Sequence, residues 1–131
     1  MAIDLQLLGP AREPLDLLDG LVVASPPEGR RLFEYDGDAI ALAEFLVWGV
    51  HDEGPGFAVR VADGAAALAV VAGTVAALTG FDIPSAVESP DAARLAALNP
   101  MARDAVRERL AHLVAGDEVG AVAQYLAEAG L

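Results

Sequence analysis

Along the first 62 residues, apolar and polar positions alternate in short stretches. Ile3, Leu5 and Leu7 alternate with Asp4 and Gln6, which predicts a strand with one buried face, closed by Gly9-Pro10. Pro14 to Leu18 suits a short helical turn, and Leu21 to Ala24 a short buried strand ended by Ser25-Pro26-Pro27. Arg31 to Tyr35 predicts a further strand, followed by the turn pair Asp36-Gly37. Asp38 then stands where an N-cap belongs, before a helix reaching about Val50. Glu44 is the only charged side chain between Asp38 and His51, so most of that helix's circumference should be covered. Phe57, Val59 and Val61 alternate with Ala58, Arg60 and Ala62, again a strand.

From Gly64 onward the period changes. Gly64 to Phe81 contains no charge and is richer in alanine than in leucine or isoleucine, with Ala69, Gly73 and Ala77 at small-xxx-small spacing. A helix over 65–79 would be about 22 Å long, against a hydrocarbon core of about 30 Å. A buried, closely packed helix fits that length better than a membrane span. Ser89-Pro90-Asp91 and Asn99-Pro100 each resemble a cap with proline at the first helical position, opening DAARLAAL and MARDAVRERLAHLVA. In the second, Val106, Leu110, Leu113 and Val114 form an apolar stripe and Gly116 supplies the stop. Asp117 is placed to cap a last helix carrying Val119, Val122, Ala123 and Leu126.

The expected fold is therefore α+β: one helix-rich domain over 1–131, with mixed strand and helix in 1–62 and a mainly helical 64–131. Its sheet would have about three or four strands. The strand-helix-strand-helix order of 31–79 favours a right-handed crossover between parallel strands. The short link between the last two helices predicts an antiparallel helical hairpin. A length of 131 residues suits one domain with its own core.

Composition narrows the chemistry. The chain has no cysteine and no lysine, which excludes disulfides, thiolate metal sites, Schiff-base catalysis and the phosphate-loop lysine. Twenty acids against eight arginines give a net charge of −12, which argues against nucleic acid as a partner. Residues 1–65 hold twelve acids and four Arg, a balance of −8. An acidic half of that kind attracts a basic protein at low salt, although acidity also serves solubility alone. The first twenty residues lack a basic n-region, which points to the cytoplasm.

Candidate site residues are few. His51 lies at a helix C-terminus beside Asp52 and Glu53, with Glu44 two turns earlier and Trp48 between. A histidine there can act as acid or base, but it also simply complements the helix dipole. A metal would need ligands from elsewhere, such as His112 or Asp36, and no metal or other cofactor is expected. Glu34, Asp36 and Asp38 lack the spacing of a calcium loop. Arg103, Arg107 and Arg109 alternate with Asp104 and Glu108, which suits local ion pairs better than a DNA-reading helix. Trp48, the only tryptophan, suits the core or an interface anchor. The expectation is a non-catalytic, acidic protein-binding module of immunity, antitoxin or adaptor type. It would use Asp36, Asp38, Glu44, Trp48, Asp52 and Glu53 against a basic protein, with homodimerisation through 101–129 as a further expectation. The rival is a small enzyme or ligand binder built on His51 and nearby carboxylates, with room left by Ala65, Ala69 and Gly73.

Overall fold

The computed structural model describes residues 17–52 and 54–131; the strand expected at 3–7, the turn residues 14–16 and Glu53 lie outside them. The strands are β1 (Val22–Val23), β2 (Arg31–Glu34), β3 (Phe57–Arg60) and β4 (Leu110–Val114). The helices are α1 (Ala39–His51), α2 (Gly64–Thr79), α3 (Ile83–Glu88), α4 (Ala92–Ala96), α5 (Pro100–Arg109) and α6 (Val119–Glu128), with a 3₁₀ turn at Gly116–Glu118. The fold is α+β and helix-rich, and all four strands are parallel in the order β1-β4-β3-β2. The crossover expected over 31–60 is present as β2-α1-β3, with Arg31 beside Phe57 and Glu34 beside Arg60.

Asp38 caps α1 as its position suggests, its carboxylate accepting from the Ile40 and Ala41 amides. Asp63 does the same for α2 by accepting from Ala66 N at 2.8 Å. Ten of the sixteen residues of α2 are buried, so it is the central helix of the core. Small side chains make that position available. A Cβ on Gly73 would stand 2.8 Å from Val87 Cγ2 and 2.9 Å from Leu46 Cδ1, so α3 and α1 close directly onto its backbone. Among the described residues the one buried polar side chain, Thr74, donates to the Val70 carbonyl at 2.8 Å and leaves no orphaned hydroxyl. Gly80 ends the helix in the left-handed region at φ 79°, which lets Phe81 N reach the Ala76 carbonyl. Among the described residues, no helix is long and apolar enough to cross a membrane.

The C-terminal third holds the expected helix pair, as α5 and α6, but a strand stands between them. The helix opened by Asn99 and Pro100 stops at Arg109, and Leu110 to Val114 form β4. The stripe Leu110, Leu113, Val114 is compatible with either period. The sheet decides. As a strand, the segment fills the gap between β1 and β3, so that Leu113 N donates to Leu21 O at 2.8 Å and Val61 N to Val114 O at 2.9 Å. Four of its five residues are buried, as befits a central parallel strand covered on both faces. The pair is thus joined through the sheet rather than by a short turn. Three local expectations also change. The helix α3 had no counterpart in the sequence reading. Asp91, not Ser89, caps α4, which leaves Pro90 outside the helix. Asp117 sits inside the 3₁₀ turn, and α6 begins at Val119 with no side-chain cap.

Candidate functional site

The carboxyl ends of β2 and β3 and the first turns of α1 and α2 surround a crevice of about 660 Å³. In parallel sheets this is where ligands bind, because the turns leaving the strands and the opening helix turns converge there. Ala39, Ala65, Ala66 and Ala69 make an apolar floor, and the rings of Tyr35 and Tyr125 stand among the walls. The charged lining is of one sign: Asp36, Asp63 and Glu88, with no Arg or His among the described lining residues. Asp38 stands at the same end, its carboxylate turned to the α1 amides.

A helix N-terminus ordinarily favours anions, with about half a positive charge on each helix. Two helices open here, so their dipoles sum to about one positive charge. Asp36, Asp38, Asp63 and Glu88 outweigh them. Tyr35 registers the resulting field: burial raises the pKa of its phenol, and Asp36, Glu88 and Asp38 raise it further. Capping does not use up the carboxylates, since each offers about four acceptor sites and Asp63 gives one of them to the Ala66 amide. The arrangement suits an ammonium or guanidinium group resting against aromatic walls.

The residues singled out from sequence divide between two ends of α1. Asp36 lines the crevice and Asp38 caps the helix beside it. Asp52 is the C-cap at the other end, roughly 20 Å away for a helix of this length. Its Oδ2 accepts from Gly54 N and its carbonyl from Arg109, so it holds the loop before β3. Glu44 is exposed in mid-helix. Trp48 is 38% exposed, with the Arg31 guanidinium 4.6 Å above its ring, so it is neither core nor a bare anchor. His51 is exposed at the last turn, its Nδ1 2.9 Å from the Val47 carbonyl of its own helix, the arrangement of a residue serving the helix end. Ala65 and Ala69 do line a crevice, but at the opposite end of α1 from His51, while Gly73 is packed against its neighbours.

His112 lies on the central strand with Nδ1 buried and unpartnered, its pKa lowered by burial and then by Arg30 and Arg107. Among the described residues, no group of three His, Cys, Asp or Glu could hold a metal. Two arginines of α5, Arg107 and Arg109, act across the fold, and Arg103 ties the preceding turn. Arg107 donates to the Leu17 and Asp19 carbonyls, Arg109 to those of Asp52 and Gly54, and Arg103 to those of Leu98 and Ala96.

Sequence reasoning missed Tyr35, Asp63, Glu88 and Tyr125. Asp63 carries the same local signal as Asp38, an aspartate between a strand and a helix. Glu88 and Tyr125 come from α3 and α6, and nothing in their own neighbourhoods announces the convergence. Comparison with protein-family models, with curated proteins and with solved structures found no match to this chain.

Proposed function

We propose that this chain is a non-catalytic, cytoplasmic protein-binding module of immunity, antitoxin or adaptor type. Its crevice at the strand ends receives a cationic side chain of a basic partner. The observation that carries the reading is the one-signed lining, Asp36, Asp63 and Glu88 around the Tyr35 phenol with no described cation among them. The overall charge of −12 adds long-range attraction for such a partner and speeds encounter. The crevice has the volume of a small-ligand site, so a free amine shares the same chemistry.

The test is calorimetric titration of the protein with a short arginine-rich peptide, with its lysine counterpart, and with a simple alkylammonium salt. Peptide binding should weaken steeply with added salt. Asp36→Asn with Glu88→Gln should weaken it roughly three- to tenfold, as expected when two solvent-exposed charge partners, each worth up to about 1 kcal/mol, are removed. The Tyr35 phenol should meanwhile titrate at lower pH in that variant, because two of the charges that raise its pKa are gone. Binding that ignores both salt and the substitutions would refute the reading. Saturation by the alkylammonium salt alone, with no gain from the peptide, would replace a protein partner by a small amine.

A further inference from the structure

The outer edge of β2 and the flank of α1 beside it form a surface separate from the crevice. In the described sheet β2 is an edge strand. Tyr35 N donates to the Arg60 carbonyl, and backbone groups alternate in direction along a strand, so Arg31 and Phe33 also face β3. Leu32 and Glu34 therefore direct N–H and C=O outward, as Arg30 does if the strand is continued by one residue. Leu32 is only half-buried and is not among the side chains packed on the core. On α1 solvent reaches apolar side chains, Ile40 at 58% exposure and Val47 at 53% with Trp48 alongside, and the exposed Glu44 carboxylate among them. Such an edge invites another strand.

We infer that the occupant is a second copy of this chain, joined through antiparallel β2 strands about a two-fold axis at Leu32. The register follows from the side chains. A two-fold axis through an antiparallel pair sets one residue opposite itself, and only a centre at an outward-facing residue sets hydrogen-bonded pairs there. A centre at Glu34 opposes two carboxylates, and one at Arg30 two guanidiniums. A centre at Leu32 opposes Leu32 to Leu32 of the second copy and Arg30 to Glu34 on both sides of the axis. Opposite charges so placed stabilise a strand pair, and like charges destabilise it. Both partners keep capacity for this pairing: the Glu34 side chain is 74% exposed, with an ion-pair contact to Arg60 at 3.6 Å, and Arg30 spends one of its donors on the Pro55 carbonyl. On the helix-bearing face, the same register sets Arg31 against Phe33 of the second copy. That extends the row in which Phe33 stacks on Phe45 at 4.7 Å and Phe45 meets Trp48 at 5.4 Å.

The helices fit as well. Phe45 touches both Phe33 of β2 and Phe57 of β3, which puts α1 over the seam between those strands. With strands about 4.8 Å apart, the two copies of α1 would run about 10 Å apart, an ordinary helix-packing distance. Trp48, above Arg31 of β2, and Glu44 border that contact, while Ile40 and Val47 lie about 140–160° around the helix from Phe45 and face away from the sheet.

The experiment is sedimentation velocity of the full chain across roughly 1 μM to 1 mM, the span in which weak and moderate dimers dissociate. The mass should rise to twice 13.4 kDa. Glu34→Arg, which opposes arginine to Arg30, should weaken self-association roughly tenfold, and Arg30→Glu together with Glu34→Arg should restore it. Leu32→Pro should abolish it by removing an outward N–H that no bond among the described residues uses, with circular dichroism confirming the fold. A mass of 13.4 kDa throughout would overturn the inference. So would a dimer that is indifferent to Glu34→Arg, and one lost instead on Tyr125→Ala would place the interface at 101–129.

Discussion

Gly49→Ala sets two effects of known sign against each other. On helix propensity alone, alanine in the interior of α1 should stabilise by up to about 1 kcal/mol. But Gly49 is buried, and a Cβ there would stand 2.7 Å from Cε2 and 2.8 Å from Cδ2 of Phe57. The ring has to retreat by several tenths of an ångström to reach normal contact. It has little room, being 1% exposed and held edge-on by Phe45 at 5.1 Å between centroids. Overpacking of this kind costs about 1–3 kcal/mol. The steric cost therefore exceeds the propensity gain, and we expect a net loss of about 1–2 kcal/mol. Urea denaturation should show a lower midpoint at unchanged slope. In a Phe57→Leu background the obstruction is gone, and the same substitution should become neutral or stabilising, a coupling of about 1–3 kcal/mol. An unchanged or higher midpoint in the otherwise native chain would show that the ring yields freely and that close packing at Gly49 is not what selects glycine.

Other outcomes separate scaffold from site. Asp63→Ala should cost about 1 kcal/mol through loss of the α2 cap. Asp63→Asn should retain most of that stability while still weakening cation binding, so equal stability losses in the two would contradict the capping role. Arg109→Met frees the carbonyls of Asp52 and Gly54; a loss of about 1–3 kcal/mol and faster amide exchange at Gly54 and Gly56 should follow. Because burial, Arg30 and Arg107 lower the pKa of His112 in the fold, the unfolded chain binds its proton more readily. Stability contributed by this group should be intact above the unfolded value of about 6.5 and fall as pH drops through and below it. His112→Leu should flatten that part of the profile, and an unaltered slope would assign it to other groups.

Local signals carried much of the fold. Asp38 and Asn99 cap where a short polar side chain precedes an apolar helical run, and the caps are present as expected. The uncharged stretch of α2, with small residues at spacing four, correctly implied a helix enclosed by others. The site was partly legible. Asp36 and Asp38 stand at the crevice end, but Asp52 belongs to the far end of α1, because a helix carries residues close in sequence far apart in space.

Composition and periodicity by themselves determined that this is a helix-rich α+β chain without cysteine or lysine chemistry, with a strand-helix-strand crossover and a buried small-residue helix. Only the tertiary structure decided that Leu110 to Val114 is a strand. Its residues satisfy either period, and the choice rests on backbone hydrogen bonds to strands roughly 50 and 90 positions earlier in the chain. The same holds for the crevice. Tyr35, Asp63, Glu88 and Tyr125 come from four separate segments, and each is an unremarkable surface residue in its own neighbourhood. Parallel pairing of β2 and β3 draws two helix starts together, and packing of α3 and α6 against α2 brings in the remaining side chains. Local sequence encodes propensity, whereas the field at Tyr35 is a sum over charges that only folding makes neighbours.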